Sequence, residues 1–297
     1  MTPADNLQLA VSPAGDEALK PGSQGSDPKR PSTLARTPVR VPLTQRRLAR
    51  ILLPLAAVVV ITVLWEIAVK LFEVPYYLVP APSQFLPRIV TSWDVLGPAA
   101  WTTGLEIALG FAVAVVVSIP LAMVFSSSSW LRSTFYPLVV IFQVVPKIAL
   151  APVLVVWFGV GLGSIVLLTF LLCFFPILAN AMAGFMSLDE RTLYLTRSMG
   201  AGRWQTFRYV RLPATLPFIF AGLEVAIVLA ATGAIVGEFV GSTSGLGYTL
   251  HGATGVLDSG LVFADLFVLS VLGLLFYYVV VLVGWLVMPW SRRGKTA

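Results

Sequence analysis

Apolar and polar positions are segregated into long blocks along this chain rather than interleaved. From about Ile51 to Phe72 the residues are predominantly apolar, and five similar blocks follow, at about Ala99–Phe125, Thr134–Phe158, Ser164–Met186, Ala214–Val240 and Leu261–Met288. A helix needs about 20 residues to cross a hydrocarbon layer about 30 Å thick. Each block is long enough, so the pattern predicts six transmembrane helices in an all-α integral membrane protein. The remaining blocks are polar. Residues 1–47 are rich in Pro, Ser, Gly and charge, with no apolar core of the kind a cleavable signal peptide needs, and read as a disordered cytoplasmic tail. The membrane domain is expected over 48–290, with a polar loop at 187–213 and a short cytoplasmic tail at 291–297.

Composition agrees with the block pattern. Of the 297 residues, 57% are hydrophobic and 11% charged, against about 25% charged in an ordinary soluble domain. The net charge of +6 reads as topology rather than as a footprint for nucleic acid. Seventeen of the twenty Lys and Arg lie in the two tails, near Arg132 or in the 187–213 loop. These segments share one face if both termini are cytoplasmic. The opposite face carries Lys70 and Arg88, while Lys147 lies inside the third block. Lys and Arg accumulate on the cytoplasmic side of membrane proteins, which places the 187–213 loop inside. Cys173 is the one cysteine and His251 the one histidine, so neither an internal disulfide nor a metal site is expected. No GxxxxGK[ST] phosphate loop occurs, so no cofactor is assigned to this chain.

Small residues recur at four-residue spacing in two blocks. Gly222, Ala226, Ala230 and Ala234 form one series, Gly233, Gly237 and Gly241 another, and Gly104, Ala108 and Ala112 a third. Such stripes let helix backbones approach closely, either within one subunit or between two.

The polar loop has its own pattern. "LDERTLYLTRSM" suits a short helix, and Gly200 and Gly202 interrupt it. Trp204, Phe207 and Val210 then recur at three-residue spacing beside Arg203, Arg208 and Arg211, as in a basic amphipathic helix along the inner headgroup layer. Pro213 is expected to close that helix and to start the next span.

This loop resembles the cytoplasmic EAA loop of ABC-importer permeases, whose pattern is E-A-A, three residues, G, nine residues, I, one residue, L-P. Gly200 matches the glycine, Val210 stands for the isoleucine, and Leu212-Pro213 match in register, whereas Tyr194-Leu195-Thr196 replaces E-A-A. "QVVPKIALAPVLVVWFGVGLG", "FFPILANAMAG" and "GAIVGEFVGSTSGLGY" extend the likeness to the nitrate, sulfonate and taurine class, over roughly residues 48–290. The resemblance implies the type I ABC-importer permease fold and a multi-pass protein of the bacterial cytoplasmic membrane. It also implies a dimer, usually of identical subunits, a periplasmic or lipid-anchored binding protein, and an ATPase subunit that binds the ATP. Docking on that ATPase is implied for Leu195, Thr196, Arg197, Gly200, Ala201, Gly202 and Arg203, with Val210, Leu212 and Pro213 completing the loop.

Charges inside the spans need a reason, because insertion costs about 2.5–3.5 kcal/mol each. Lys147 either meets an anionic solute, pairs with Glu106, Glu224 or Glu238, or snorkels. Glu224 either lines the pathway or is paired within the subunit, Glu238 lies near the outer gate, and Asn180 either lines the cavity or serves packing. Glu66 and Glu106 are read as reaching headgroups. The glycine-rich stretch 241–255 is an outer loop, either free in solvent or touching the binding protein. The expected function is transport of a small solute by alternating access, an anion such as nitrate, a sulfonate or taurine, or a small heterocyclic precursor. The rival readings are a secondary transporter or channel coupled through Lys147 and the glutamates, and a membrane enzyme. A secondary transporter has no use for the in-register loop, and no His, Cys and carboxylate cluster at one depth supports an enzyme.

Overall fold

The computed structural model describes residues 43–292, and every regular element among them is helical. The expected tails therefore lie almost entirely outside the described residues. The helices are α1 (Leu43–Leu71), α2 (Pro82–Thr91), α3 (Trp93–Phe125), α4 (Ser129–Val144), α5 (Ala151–Phe158), α6 (Leu162–Met186), α7 (Glu190–Ser198), α8 (Arg203–Thr206), α9 (Leu212–Gly241), α10 (Leu246–Gly255) and α11 (Ser259–Val287). Helices α1, α3, α6, α9 with its N-terminal extension, and α11 are long and apolar enough to cross a membrane. The third expected span is not one helix. It is α4 and α5, bent by 76° across a short break. Pro146 causes the break: a residue before proline is driven out of the α region, and Val145 is extended at φ −60°, ψ 128°.

The core lies where α6 packs along both α9 and α3. Gly222, Ala226, Ala230, Gly233, Ala234, Gly237 and Gly241 of α9 are all buried, so both small-residue series on this helix are spent inside the subunit. On α3 the packed stripe is a different one. Ala112 is exposed, and the buried residues are Leu96, Ala99, Thr103, Glu106, Ile107, Gly110, Ala114, Ser118 and Ala122. In lipid, helices associate through close van der Waals contact and interhelical hydrogen bonds. Both occur here: the Ser118 hydroxyl donates to the Phe174 carbonyl at 3.1 Å, and the Cys173 thiol to that of Ala226 at 3.1 Å. Cys173 is thus a core residue.

Helices α1 and α11 present mostly exposed apolar side chains, as lipid-facing helices do. Trp65 of α1 packs on Phe85 of α2 and Phe263 of α11, with ring centroids 5.6 and 5.7 Å apart. Glu66 pairs with Lys70 at 2.6 Å and accepts the Ser83 N–H and hydroxyl at 3.0 and 2.6 Å, which ties α1 to the start of α2. Arg88 of α2 pairs with Asp258 at 2.8 Å, and Asp258 caps α11 by accepting the Leu261 N–H. Residues 241–255, expected as a loop, hold the helix α10.

A close approach along the α6–α9 seam is a test of this packing. A Cβ at position 222 would stand 2.8 Å from the Asn180 Cβ and 3.2 Å from the Pro176 carbonyl oxygen. Overpacking of this kind costs about 1–3 kcal/mol. Gly222→Val is therefore expected to lower the melting temperature of the detergent-purified protein, while Gly252→Ala, with open space around the new Cβ, leaves it unchanged.

Candidate functional site

The polar loop is an ordered elbow. Asp189 caps α7 by accepting the Arg191 N–H at 3.1 Å. At the other end the Ala201 N–H donates to the Thr196 carbonyl and the Gly200 N–H to that of Arg197, at 3.1 and 3.0 Å. These are the paired bonds of a Schellman motif, which needs a left-handed residue just past the helix. Gly200 supplies it, at φ +79°. Gly202 then opens α8, where its N–H donates to the Gln205 side chain at 2.9 Å.

Pro213 does not close this segment. The helix runs without interruption from Arg203 to Gly241. The stretch Phe207–Arg211 is π-helical and leads directly into Leu212-Pro213. Proline removes one donor and crowds the preceding turn, and the wider π turn lies just where that turn must adapt. Elbow and span are therefore one rod. Trp204 stacks on Phe207 at 5.7 Å. Tyr194 and Leu195, which replace the first two residues of E-A-A, are exposed and line a shallow hollow with Arg191 and Ser198.

A second constellation lies at the α4–α5 break. The Lys147 side chain is 9% exposed. Its ammonium donates to the Gln143 carbonyl at 3.0 Å, approaches the Val145 carbonyl at 3.5 Å, and sits 5.0 Å from the centroid of the Phe175 ring. Lys147 is thus a cap for the carbonyls that the break at Pro146 strands, favourably placed at the negative end of α4. None of Glu106, Glu224 and Glu238 pairs with it. Lys147 and Asn180 line one cavity of about 510 Å³, together with Gln143, Pro176, Val225 and Leu229. Asn180 serves packing as well: its amide donates to the Pro176 carbonyl at 2.8 Å. Glu224 lines an adjoining hollow of about 550 Å³ with Tyr277, and Val225 and Leu229 form the wall between the two.

Glu238 lies elsewhere, in a third arrangement. It is 1% exposed, accepts the Thr103 hydroxyl at 2.6 Å and accepts the Gly247 N–H. The Tyr248 N–H also points to this carboxylate, and the Leu246 N–H donates to the Thr103 hydroxyl at 2.8 Å. Residues of α3 and α9 thereby satisfy the first three N–H groups of α10. The close approach requires small residues, since a Cβ at Gly245 or Gly247 would overlap the Glu238 side chain, and Gly245 is left-handed at φ +105°. Glu106 does not reach the headgroups. Its helix begins at Trp93 rather than Ala99, and the carboxyl is buried against that of Glu238. Asp265 of α11 is buried nearby and interacts with Glu238. Sequence reasoning missed Thr103, Asp265 and α10, although Glu238 followed by the Gly-Leu-Gly of 245–247 is a readable signal for an acid beside a bare helix start.

Apolar crossings packed around a small-residue core, with a structured elbow on the base-rich side, define a membrane transport component. Comparison with known proteins narrows this. Residues 114–293 match the family described as binding-protein-dependent transport system inner membrane component, and the chain belongs to that family. It is 36% identical over 232 residues to the formylaminopyrimidine transport permease protein ThiX of Halalkalibacterium halodurans, covering 78% of this chain and 92% of that protein. It is 33% identical over 234 residues to the riboflavin transport system permease protein RibX of Chloroflexus aurantiacus, covering 77% and 86%. The taurine transport system permease protein TauC of Escherichia coli is 29% identical over 227 residues, covering 73% and 81%. Among solved structures, the inward-facing MetNI methionine ABC transporter shares the fold at 18% identity and a TM-score of 0.55, over 65% of this chain and 96% of that one. The protein is an ABC-importer permease subunit of the cytoplasmic membrane.

Removing the carboxylate at 238 tests the pin on α10. Glu238→Ala strands the Gly247 N–H, and an orphaned buried donor costs about 1–3 kcal/mol. Hydrogen exchange at 246–249 is expected to accelerate while the α6 and α9 interiors keep their protection. Glu238→Gln, which keeps an acceptor for Gly247, should lie between the two.

Proposed function

We propose that this chain forms half of a solute passage, and that an ATPase docked on the elbow drives it by alternating access. The observation that carries the reading is mechanical. The Schellman corner at Gly200 leads through Ala201 and Gly202 into the uninterrupted helix Arg203–Gly241, and α9 packs against both α6 and α3. A displacement at the corner is thereby delivered to the core. Leu195, Thr196, Arg197, Gly200, Ala201, Gly202 and Arg203 form the docking knob, and Val210, Leu212 and Pro213 are the root of the lever. ATP belongs to the partner ATPase, and this chain carries no cofactor of its own. Two copies enclose the passage, and a periplasmic or lipid-anchored binding protein delivers the solute on the side of α10.

Lys147 and Asn180, which share a cavity, and Glu224 beside it are the residues assigned to the passage. Glu238 acts on the outer side through α10. The solute is small and polar, an anion such as nitrate, a sulfonate or taurine, or a heterocyclic precursor. Both the single cation at the α4–α5 break and the transport names of ThiX, RibX and TauC support this range. A carrier driven by an ion gradient has no role for a rigid cytoplasmic lever.

Gly200 provides the test. A β-branched residue at φ +79° costs about 1–3 kcal/mol in backbone strain, whereas Asn visits this region readily. In the complex reconstituted with its ATPase and binding protein, Gly200→Val is expected to abolish ATP-driven uptake while the permease still inserts in the membrane. Gly200→Asn should keep most uptake. Unimpaired uptake by Gly200→Val would refute the lever.

A further inference from the structure

The basic residues of the two faces are treated differently. On the outer side, Lys70 and Arg88 are each neutralised by a carboxylate, Glu66 at 2.6 Å and Asp258 at 2.8 Å. On the elbow, the guanidinium groups of Arg197, Arg203 and Arg211 have no ion pair and no hydrogen-bond partner among the described residues. Yet these three arginines line one cavity of about 410 Å³, with Ser127, Thr206 and Phe207. Three like charges around one hollow repel each other unless an anion sits among them.

The depth of the cavity narrows the identity of that anion. Ser127 lies in the turn between α3 and α4, where one span ends and the next begins. Arg211 immediately precedes Leu212, the first residue of α9. The cavity therefore sits at the inner end of three crossings, at the level of the lipid headgroups. Aromatics mark the same level: Trp204 and Tyr209 on the elbow are 70% and 72% exposed, as side chains at a membrane–water boundary are. The N-terminus of the 16-residue α4 is also there. Its first N–H groups have no side-chain cap, and they add positive potential on the same side. The apolar hollow of Tyr194 and Leu195 is lined by different residues from the basic cavity; Arg197 and Arg203 also belong to the proposed docking knob, whereas Arg211 and Ser127 lie outside it.

We propose that the Arg197–Arg203–Arg211 cavity is a phosphate-binding site at the inner membrane surface, bridging the root of the elbow to the α3–α4 turn. Guanidinium groups bind phosphate oxygens in bidentate pairs, and the phosphate is either that of an anionic phospholipid headgroup or a free one. An occupied site holds the elbow against the membrane and stiffens the lever where it is π-helical.

The full chain in nanodiscs tests this. Native mass spectrometry on discs of mixed phosphatidylglycerol and phosphatidylcholine should show retained phosphatidylglycerol on the wild type, enriched about tenfold or more over the bulk ratio, given the attraction of several bases for one headgroup. The triple variant Arg197→Gln/Arg203→Gln/Arg211→Gln should lose the enrichment, and Arg208→Gln, outside the cavity, should keep it. The single variant Arg203→Gln, on the exposed surface, lowers the enrichment if the site is real even where the triple variant fails to fold. In pure phosphatidylcholine discs, a rise in melting temperature with inorganic phosphate, absent from the variants, would assign the site to a soluble phosphate. If neither phosphatidylglycerol nor phosphate distinguishes wild type from Arg203→Gln, the proposal is wrong. It is equally wrong if the arginines prove necessary only for capturing the ATPase.

Discussion

In a bilayer no water is available to a stranded backbone group, so each break in a helix must be paired from within the protein. Three positions where this chain departs from continuous helix meet that demand with specific partners. At Val145–Pro146 the freed Gln143 carbonyl accepts from Lys147. Before α6 the Gly161 N–H donates to the Gly241 carbonyl, which joins the start of one span to the end of another. At the start of α10 the donors go to Thr103 and Glu238. Lys147, Thr103 and Glu238 are accounted for by this one requirement. They are the cost of having short helices at membrane depth, and the short helices are what shape the cavities.

That constraint also separates structural from transport roles within a single side chain. Lys147 is held by carbonyls and an aromatic face, so its position does not depend on a carboxylate partner. A side chain fixed in this way lines the cavity with no carboxylate beside it. A Lys–Glu pair at the same place would have cancelled the field. Glu238 shows the opposite arrangement, with its oxygens engaged by α3 and α10, which makes it a structural tie for an outer helix. The two residues looked alike as buried charges in the spans; their partners set them apart.

The crossings were legible because a membrane demands about 20 apolar residues and little else competes with that signal. The elbow was legible because Gly200 and Leu212-Pro213 carry their geometry locally. What escaped was decided by distant partners. Proline at 146 breaks its helix whereas Pro120 and Pro176 do not, a difference that the residue type alone does not announce. Pro213 looked like a stop and proved to be part of a continuous rod, since a π turn takes up the local misfit. Helix α10 was hidden because its start depends on Thr103, 143 residues away from Leu246. Glu106 was misplaced for a simpler reason: α3 starts at Trp93, ahead of the clearly apolar block, which carries the glutamate into the interior.

The unequal treatment of basic residues on the two faces follows from the same physics. A base that remains outside must be held in place without a membrane potential or anionic leaflet to favour it, and here Lys70 and Arg88 are tied to carboxylates that also fix α1, α2 and α11 to one another. Bases on the inner side face anionic lipid and need no internal acid. Leaving the guanidinium groups of Arg197, Arg203 and Arg211 unpaired costs little there. An internal carboxylate in that cavity would have made the elbow self-contained. No carboxylate lines that cavity among the described residues, so the charge of the three arginines is left to be met from outside the chain.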